Sequence, residues 1–174
     1  VGSDTKSYAR ALKSAMREAP DVILIGEIRD LETMQAAVDL AGTGHLVLAT
    51  LHSNNAPETL DRVINFFPED QHPQVFMDMS QYLRAIISQR LVRGVAGDRY
   101  AAVEVMLNTP RIAELIQAGD IGKVKESFYE SSEQGMQTFD QSLLKLYQDG
   151  RVSMDEALAH ADSRANLESQ IHFG

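Results

Sequence analysis

The chain has 174 residues, 44% hydrophobic and 24% charged, with 16 basic side chains against 25 acidic ones and no cysteine. That is enough for one sizeable core, with room for a small appended unit, at ordinary soluble composition. The net charge of −9 argues against nucleic-acid or anionic-membrane binding over the surface as a whole, zero cysteines exclude disulfides and thiolate metal sites, and no apolar run approaches the ~20 residues that span a bilayer.

The chain opens on Val1-Gly2 with neither Met nor a signal-peptide pattern, and is expected to be a piece of something longer. Ser3, Asp4 and Thr5 are N-cap candidates for a helix to about Glu18, with Tyr8, Leu12, Ala15 and Met16 on its apolar face. Arg10, Lys13 and Arg17 form a basic row read as a solvated face. Pro20 stops the helix. The apolar run Val22–Ile25 then reads as a strand, closed by Gly26-Glu27 and Arg29-Asp30. From Leu31 to Ala41 the spacing of Leu31, Met34, Val38 and Ala41 is helical. A second short strand, Leu46–Ala49, ends in Thr50-Leu51-His52-Ser53. Another helix is expected from Ala56, burying Leu60, Val63, Ile64 and Phe67. Asp70 to about Arg93 reads as one long helix, because Phe76, Met79, Leu83, Ile86 and Leu91 step by three, four or five. Gly94 and Gly97 break it, and Tyr100–Leu107 alternates as a strand with two unlike faces. Four helical stretches follow, at roughly 110–118, 120–131, 137–149 and 153–161, separated by Gly119, Gly135 and Gly150 as C-cap signals. The change from α/β to all-helical near Asn108 suggests two units, 1–108 and 109–174.

Strand, helix, strand over Pro20–Asn55 is a βαβ unit, whose crossover makes the strands parallel. Glu27 and His52, just past the two strand ends, then emerge on the edge where open α/β sheets keep ligands. A carboxylate there can orient an attacking water in phosphoryl transfer. His52 has the better claim of the two nearby histidines as a sensor of a terminal phosphate, and Thr50, Ser53 and Asn54 could share that task. His45 and His52 cannot chelate one ion: seven residues along one strand is about 23 Å. His45 is either a strand-start histidine bonded to backbone or a relay between subunits. Asp30 most simply N-caps the following helix. Arg29 could ion-pair locally or reach across a subunit boundary. Gln89, Arg90 and Arg93 could face nucleotide or a neighbouring subunit, or form a basic helix C-terminus. His72, His160 and His172 read as surface histidines. A P-loop enzyme also needs GxxxxGK[ST], and that pattern does not occur in residues 1–174.

LIGEIRD followed by TGHLVLATLHSNNA resembles the Walker B segment and histidine box of the secretion and type IV pilus ATPases. LDRVINFFPED, ISQRLV, VEVMLNTPRIAELIQAGDI and GMQTFDQSLLKLY extend the resemblance over almost the whole chain. It is strongest to the twitching-motility retraction ATPases of the PilT/PilU type, the PilU branch above all. The resemblance implies an α/β fold: the C-terminal half of a RecA-like P-loop core, followed by an all-helical C-terminal subdomain. It makes Glu27 the Walker B glutamate, in the GE form of this family, and His45 and His52 the two box histidines. It implies ATP and Mg2+, with no direct metal ligand here and Glu27 reaching the ion through water at most. It further implies a cytoplasmic homo-hexamer peripheral to the inner membrane at the pilus base, acting on a pilus platform protein and alongside a paralogous retraction ATPase, with no nucleic acid. The Walker A loop, aspartate box, arginine fingers and a PAS-like domain would lie upstream of Val1. IAELIQAG shares only the apolar pattern of the family's AIRNLIRE-type segment. A type II secretion or pilus-assembly ATPase is the alternative within the class, although those commonly carry a four-cysteine zinc insert. A non-catalytic RecA-like partner subunit is the alternative outside it.

Overall fold

Two short parallel strands and the helix between them come first in the described chain. In the computed structural model, which describes Ser14, residues 20–131 and residues 135–173, β1 (Val22–Ile25) turns Ile23 and Ile25 inward and leaves Val22 and Leu24 exposed. The helix expected over residues 5–18 lies outside the described residues, Ser14 apart. Asp30 starts α1 (Leu31–Gly42) by accepting the Thr33 amide at 2.8 Å, filling one of the orphan donors of a first helical turn. The chain returns in β2 (Leu46–Ala49), in parallel register with β1 from Val22↔Leu46 to Ile25↔Ala49.

Beyond this unit, α2 (Ala56–Asn65) is capped by Asn55, and a short 3-10 turn, Glu69–Gln71, leads into α3 (His72–Tyr82). Here the expectation of one helix to Arg93 fails. Leu83 takes an extended ψ of 135°, and Ala85–Arg93 is strand β3, paired antiparallel with β4 (Arg99–Leu107) from Ala85↔Leu107 to Arg93↔Arg99. The physical reason is period. Ile86, Ser88 and Val92 are buried while Ile87, Gln89 and Leu91 are exposed, a two-residue alternation that suits β-branched side chains. The steps of three to five were a coincidence of spacing. Gly97, at φ 87°, supplies the left-handed residue in the turn, where the Gly94 amide bonds the Asp98 carbonyl at 2.9 Å.

Five helices complete the described chain: α4 (Pro110–Gln117), α5 (Ile121–Tyr129), α6 (Phe139–Gln148), α7 (Met154–Ala159) and α8 (Arg164–Phe173). The first four begin and end within two residues of their sequence expectations. Their N-caps Thr109, Asp120, Thr138 and Ser153 each accept a backbone amide in the first turn. Helix α8 was not expected, because Leu167 is its one buried residue and leaves no apolar stripe to read. Two apolar cores result. The larger joins Ile23, Ile25, α1, α2 and α3 to Ile86, Met106, α4 and α5. The smaller packs Val92 and Ala102 of the hairpin against Phe139, Leu143, Val152, Leu158 and Leu167. Helices α4 and α5 thus share a core with the parallel unit, and α6–α8 share one with the hairpin.

At Thr138 a full capping box is formed: its hydroxyl accepts the Gln141 amide at 3.2 Å and the Gln141 side chain accepts the Thr138 amide at 3.0 Å. Thr138→Ala removes the first of these and should cost ~1 kcal/mol of unfolding free energy. Urea denaturation reads it, and an unchanged midpoint would mean that packing alone starts α6.

Candidate functional site

Both parallel strands end at the same edge, and short contacts join the two exits. The Ile28 amide donates to the Thr50 carbonyl at 3.0 Å, and the Thr50 hydroxyl donates back to the Gly26 carbonyl. Between these stitches Glu27 leaves the sheet. Its Oε1 lies 2.7 Å from His52 Nε2. Its Oε2 accepts Arg29 Nε at 2.6 Å and pairs with the same guanidinium a second time. An ionised carboxylate only accepts, so the hydrogen between Glu27 and His52 resides on Nε2. The Arg29 hydrogen bond is the main reason the Glu27 carboxyl sits below its ordinary range, with the Arg29 and His52 charges adding to it against partial desolvation. The Glu27 side chain is 21% exposed and that of His52 80%, so the carboxylate is sheltered and the imidazole faces solvent.

The segment carrying His52 is tied to α2 at both its first and its last turn. Arg62 donates to the His52 carbonyl at 2.5 Å. Glu58 accepts both the amide and the side-chain nitrogen of Asn54, at 3.1 and 2.9 Å. The Ser53 and Thr59 hydroxyls are 2.6 Å apart. Of these partners the sequence reading named only Ser53 and Asn54. The spacing Asn55-x-x-Glu58, an N-cap followed by an acid three residues on, is the signal that places Glu58 beside this loop. An open groove of about 1260 Å³ runs from this loop along β2 towards β3, lined among others by Thr50, His52, Asn54 and Ala85.

The remaining candidates fall elsewhere. His45 Nδ1 lies 3.2 Å from the Leu40 carbonyl and 3.0 Å from the Thr43 hydroxyl, at the end of α1. This is the backbone-bonded arrangement, and it does not bring His45 to Glu27. Asp30 spends its carboxylate on the cap, and the Thr33 backbone bond holds that carboxyl below its usual range. Arg90 points into the chain: it pairs with Asp162 at 2.7 Å, donates to the His160 carbonyl at 2.9 Å, and stacks on the Phe139 ring at 3.8 Å. It belongs to a strand, so the basic helix C-terminus does not exist. His72 contacts the Phe67 carbonyl at 2.9 Å and His160 lies 3.3 Å from Glu156. Both Glu27 oxygens are engaged by His52 and Arg29, so an ion bound directly there would have to displace one of them. Among the described residues no cluster of three or more His, Cys, Asp or Glu is placed to hold a metal.

A family model for the type II/IV secretion system proteins matches residues 3–159. The chain belongs to this family. Within it, this type II/IV secretion system protein is 53% identical to the type IV pilus ATPase PilU of Pseudomonas aeruginosa, over 100% of the chain and 46% of that relative. It is 41% identical to the retraction ATPase PilT of the same organism, over 96% of the chain and 48% of the relative. A crystal structure of the pilus retraction motor PilT with bound ADP superposes with a TM-score of 0.86 at 41% identity, covering 97% of this chain and 47% of that one. The secretion-family chain thus spans about half the length of the relatives it matches. With them it shares the α/β fold read from its sequence, a parallel strand unit followed by a mostly helical C-terminal region. No helix among the described residues is long and apolar enough to cross a membrane.

Proposed function

We propose that this chain is the C-terminal part of a cytoplasmic motor that hydrolyses ATP to retract type IV pili. The observation that carries the reading is the 2.7 Å contact between Glu27 and His52 at the common exit of two parallel strands. Residues 1–108 belong to a RecA-like core, and the helices after 109 pack onto it, α4 and α5 against the parallel unit and α6–α8 against the hairpin. The working unit is a homo-hexamer at the inner-membrane pilus base, acting on the platform protein, with a paralogous retraction ATPase as a further partner. Sequence identity to PilU and PilT supports this reading over the assembly and secretion alternatives.

In the reaction, water attacks the terminal phosphorus and the bond to the bridging oxygen of ADP breaks. Glu27 accepts a hydrogen bond from that water and holds its lone pair towards phosphorus. Before nucleotide arrives both Glu27 oxygens are occupied by His52 and Arg29. Phosphate oxygens are competing acceptors for both donors, so a terminal phosphate at this edge frees the carboxylate for water. ATP and ADP differ in that phosphate, and His52 is the group that reports the difference. Mg2+ bound with the nucleotide would offset the phosphate charge, and Glu27 would be the residue here to face it, through water.

His52→Ala in the full-length parent tests this. Turnover should fall at least about tenfold, somewhat less than the loss of a dedicated transition-state donor, while ATP affinity stays near wild type. Steady-state phosphate release and equilibrium nucleotide binding on the same sample measure both. Unchanged turnover, or equal losses of ADP and ATP affinity, would remove His52 from the site.

A further inference from the structure

On β4 the residues facing inward are Ala102, Glu104 and Met106, all fully buried. A carboxylate in that row is costly unless it is bonded. Glu104 Oε1 accepts the amide of Ala56 at 2.7 Å across 48 residues of chain. Ala56 is the first residue of α2, four positions after His52. Beside it, Arg90 reaches the Asn54 carbonyl at 3.4 Å with the same guanidinium that pairs with Asp162. Asp162 in turn accepts the Tyr129 hydroxyl at 3.1 Å, and its own amide donates to Asp140 at 2.7 Å. The backbone leaving His52 is therefore held twice from the hairpin, by Glu104 and by Arg90, whose partner Asp162 is tied to Tyr129 of α5 and Asp140 of α6.

We propose that Glu104 and Arg90 are positioning residues for the reaction: they fix the Asn54–Ala56 backbone and so set where the His52 imidazole stands relative to Glu27. The inference rests on the ATPase reading above. Burial pushes the Glu104 carboxyl up from its usual range, against hydrogen bonds from the Ala56 amide and the Ser88 side chain, and its Oε2 makes no hydrogen bond of ordinary geometry among the described residues. Both facts suit a side chain that works as a neutral acceptor. Glutamine has that shape and keeps the acceptor oxygen; leucine has the bulk and lacks it.

In the full-length parent, Glu104→Leu should lower kcat about tenfold to a hundredfold, the scale of a small misplacement of a reacting group, with KM for ATP little changed. Glu104→Gln should restore kcat. Arg90→Lys keeps the charge for Asp162 but loses the fork, should lower kcat in the same sense, and serves if the leucine variant does not fold. The deciding comparison repeats these changes on His52→Ala. Neither Glu104→Leu nor Arg90→Lys should cost further kcat there, because residues acting through one group are non-additive. A lowered melting temperature with full kcat, or losses that multiply with His52→Ala, would overturn the proposal and leave the pair a packing feature. Glu27→Gln, run alongside, reports separately on the ATPase reading. If that reading fails, amide exchange still decides: Glu104→Leu must expose the Ala56 amide while Glu104→Gln protects it, and equal protection in both would overturn the grip itself.

Discussion

Replacing Glu27 with glutamine in the full-length parent should lower ATP turnover by about 10²–10³-fold, the scale of losing one well-placed catalytic group. ATP should bind almost as before. Glutamine keeps the size of the side chain and removes its charge, and with it the acceptor that orients water. It also removes the ionic part of the contacts to Arg29 and His52, which are exposed and so contribute little to stability. An effect confined to kcat is the mark of an interaction made in the transition state. The fold should survive, since no buried side chain leans on this carboxylate. Cells carrying only this variant should fail to retract pili under load. Turnover within about threefold of wild type would make Glu27 a strand cap, because even one general acid–base group is worth far more than that.

Phe139→Ala should cost about 3–5 kcal/mol of unfolding free energy, the range for truncating a buried aromatic. Phe139 is 0% exposed at the centre of the smaller core, directly after the Thr138 cap. Its ring also lies under the Arg90 guanidinium at 3.8 Å, so truncation loosens the cation together with the core. Urea denaturation measures the effect. A loss below about 1 kcal/mol would mean that the α6–α8 cluster contributes little to cooperative folding, since core truncations of this kind do not otherwise cost so little.

How far the sequence revealed this arrangement depended on whether one signal or two competed at a position. Over β1, α1 and β2 there was one. Apolar runs of four, an Asp cap and a helical stripe agree, and the elements begin where they were expected. Because parallel strands expose both C-terminal ends together, the meeting of Glu27 and His52 followed from order alone. Over 83–93 two periods competed. Ile86 and Leu91 fitted a helix by spacing, but Ile87, also β-branched, and the pairing with β4 decided for a strand. That error carried Arg90 with it: on a helix end it would face solvent or nucleotide, whereas on β3 it turns towards Asp162. Glu104 was hidden for another reason. Alternation separates two faces without saying which is buried, and the face with Val103 and Val105 looked the more apolar. The buried row carries the glutamate instead, and there its carboxyl oxygen accepts the Ala56 amide. Asp162 and α8 lay past the last periodic stretch, where one buried leucine gives no pattern.

We place the cleavage of the terminal phosphate of ATP at the Glu27–His52 edge. A structure of the full-length parent with a non-hydrolysable ATP analogue tests it most directly. The terminal phosphate should lie one water away from the Glu27 carboxylate, with His52 Nε2 turned from Glu27 to a phosphate oxygen. A terminal phosphate seated elsewhere, with the Glu27–His52 contact unbroken, would contradict it.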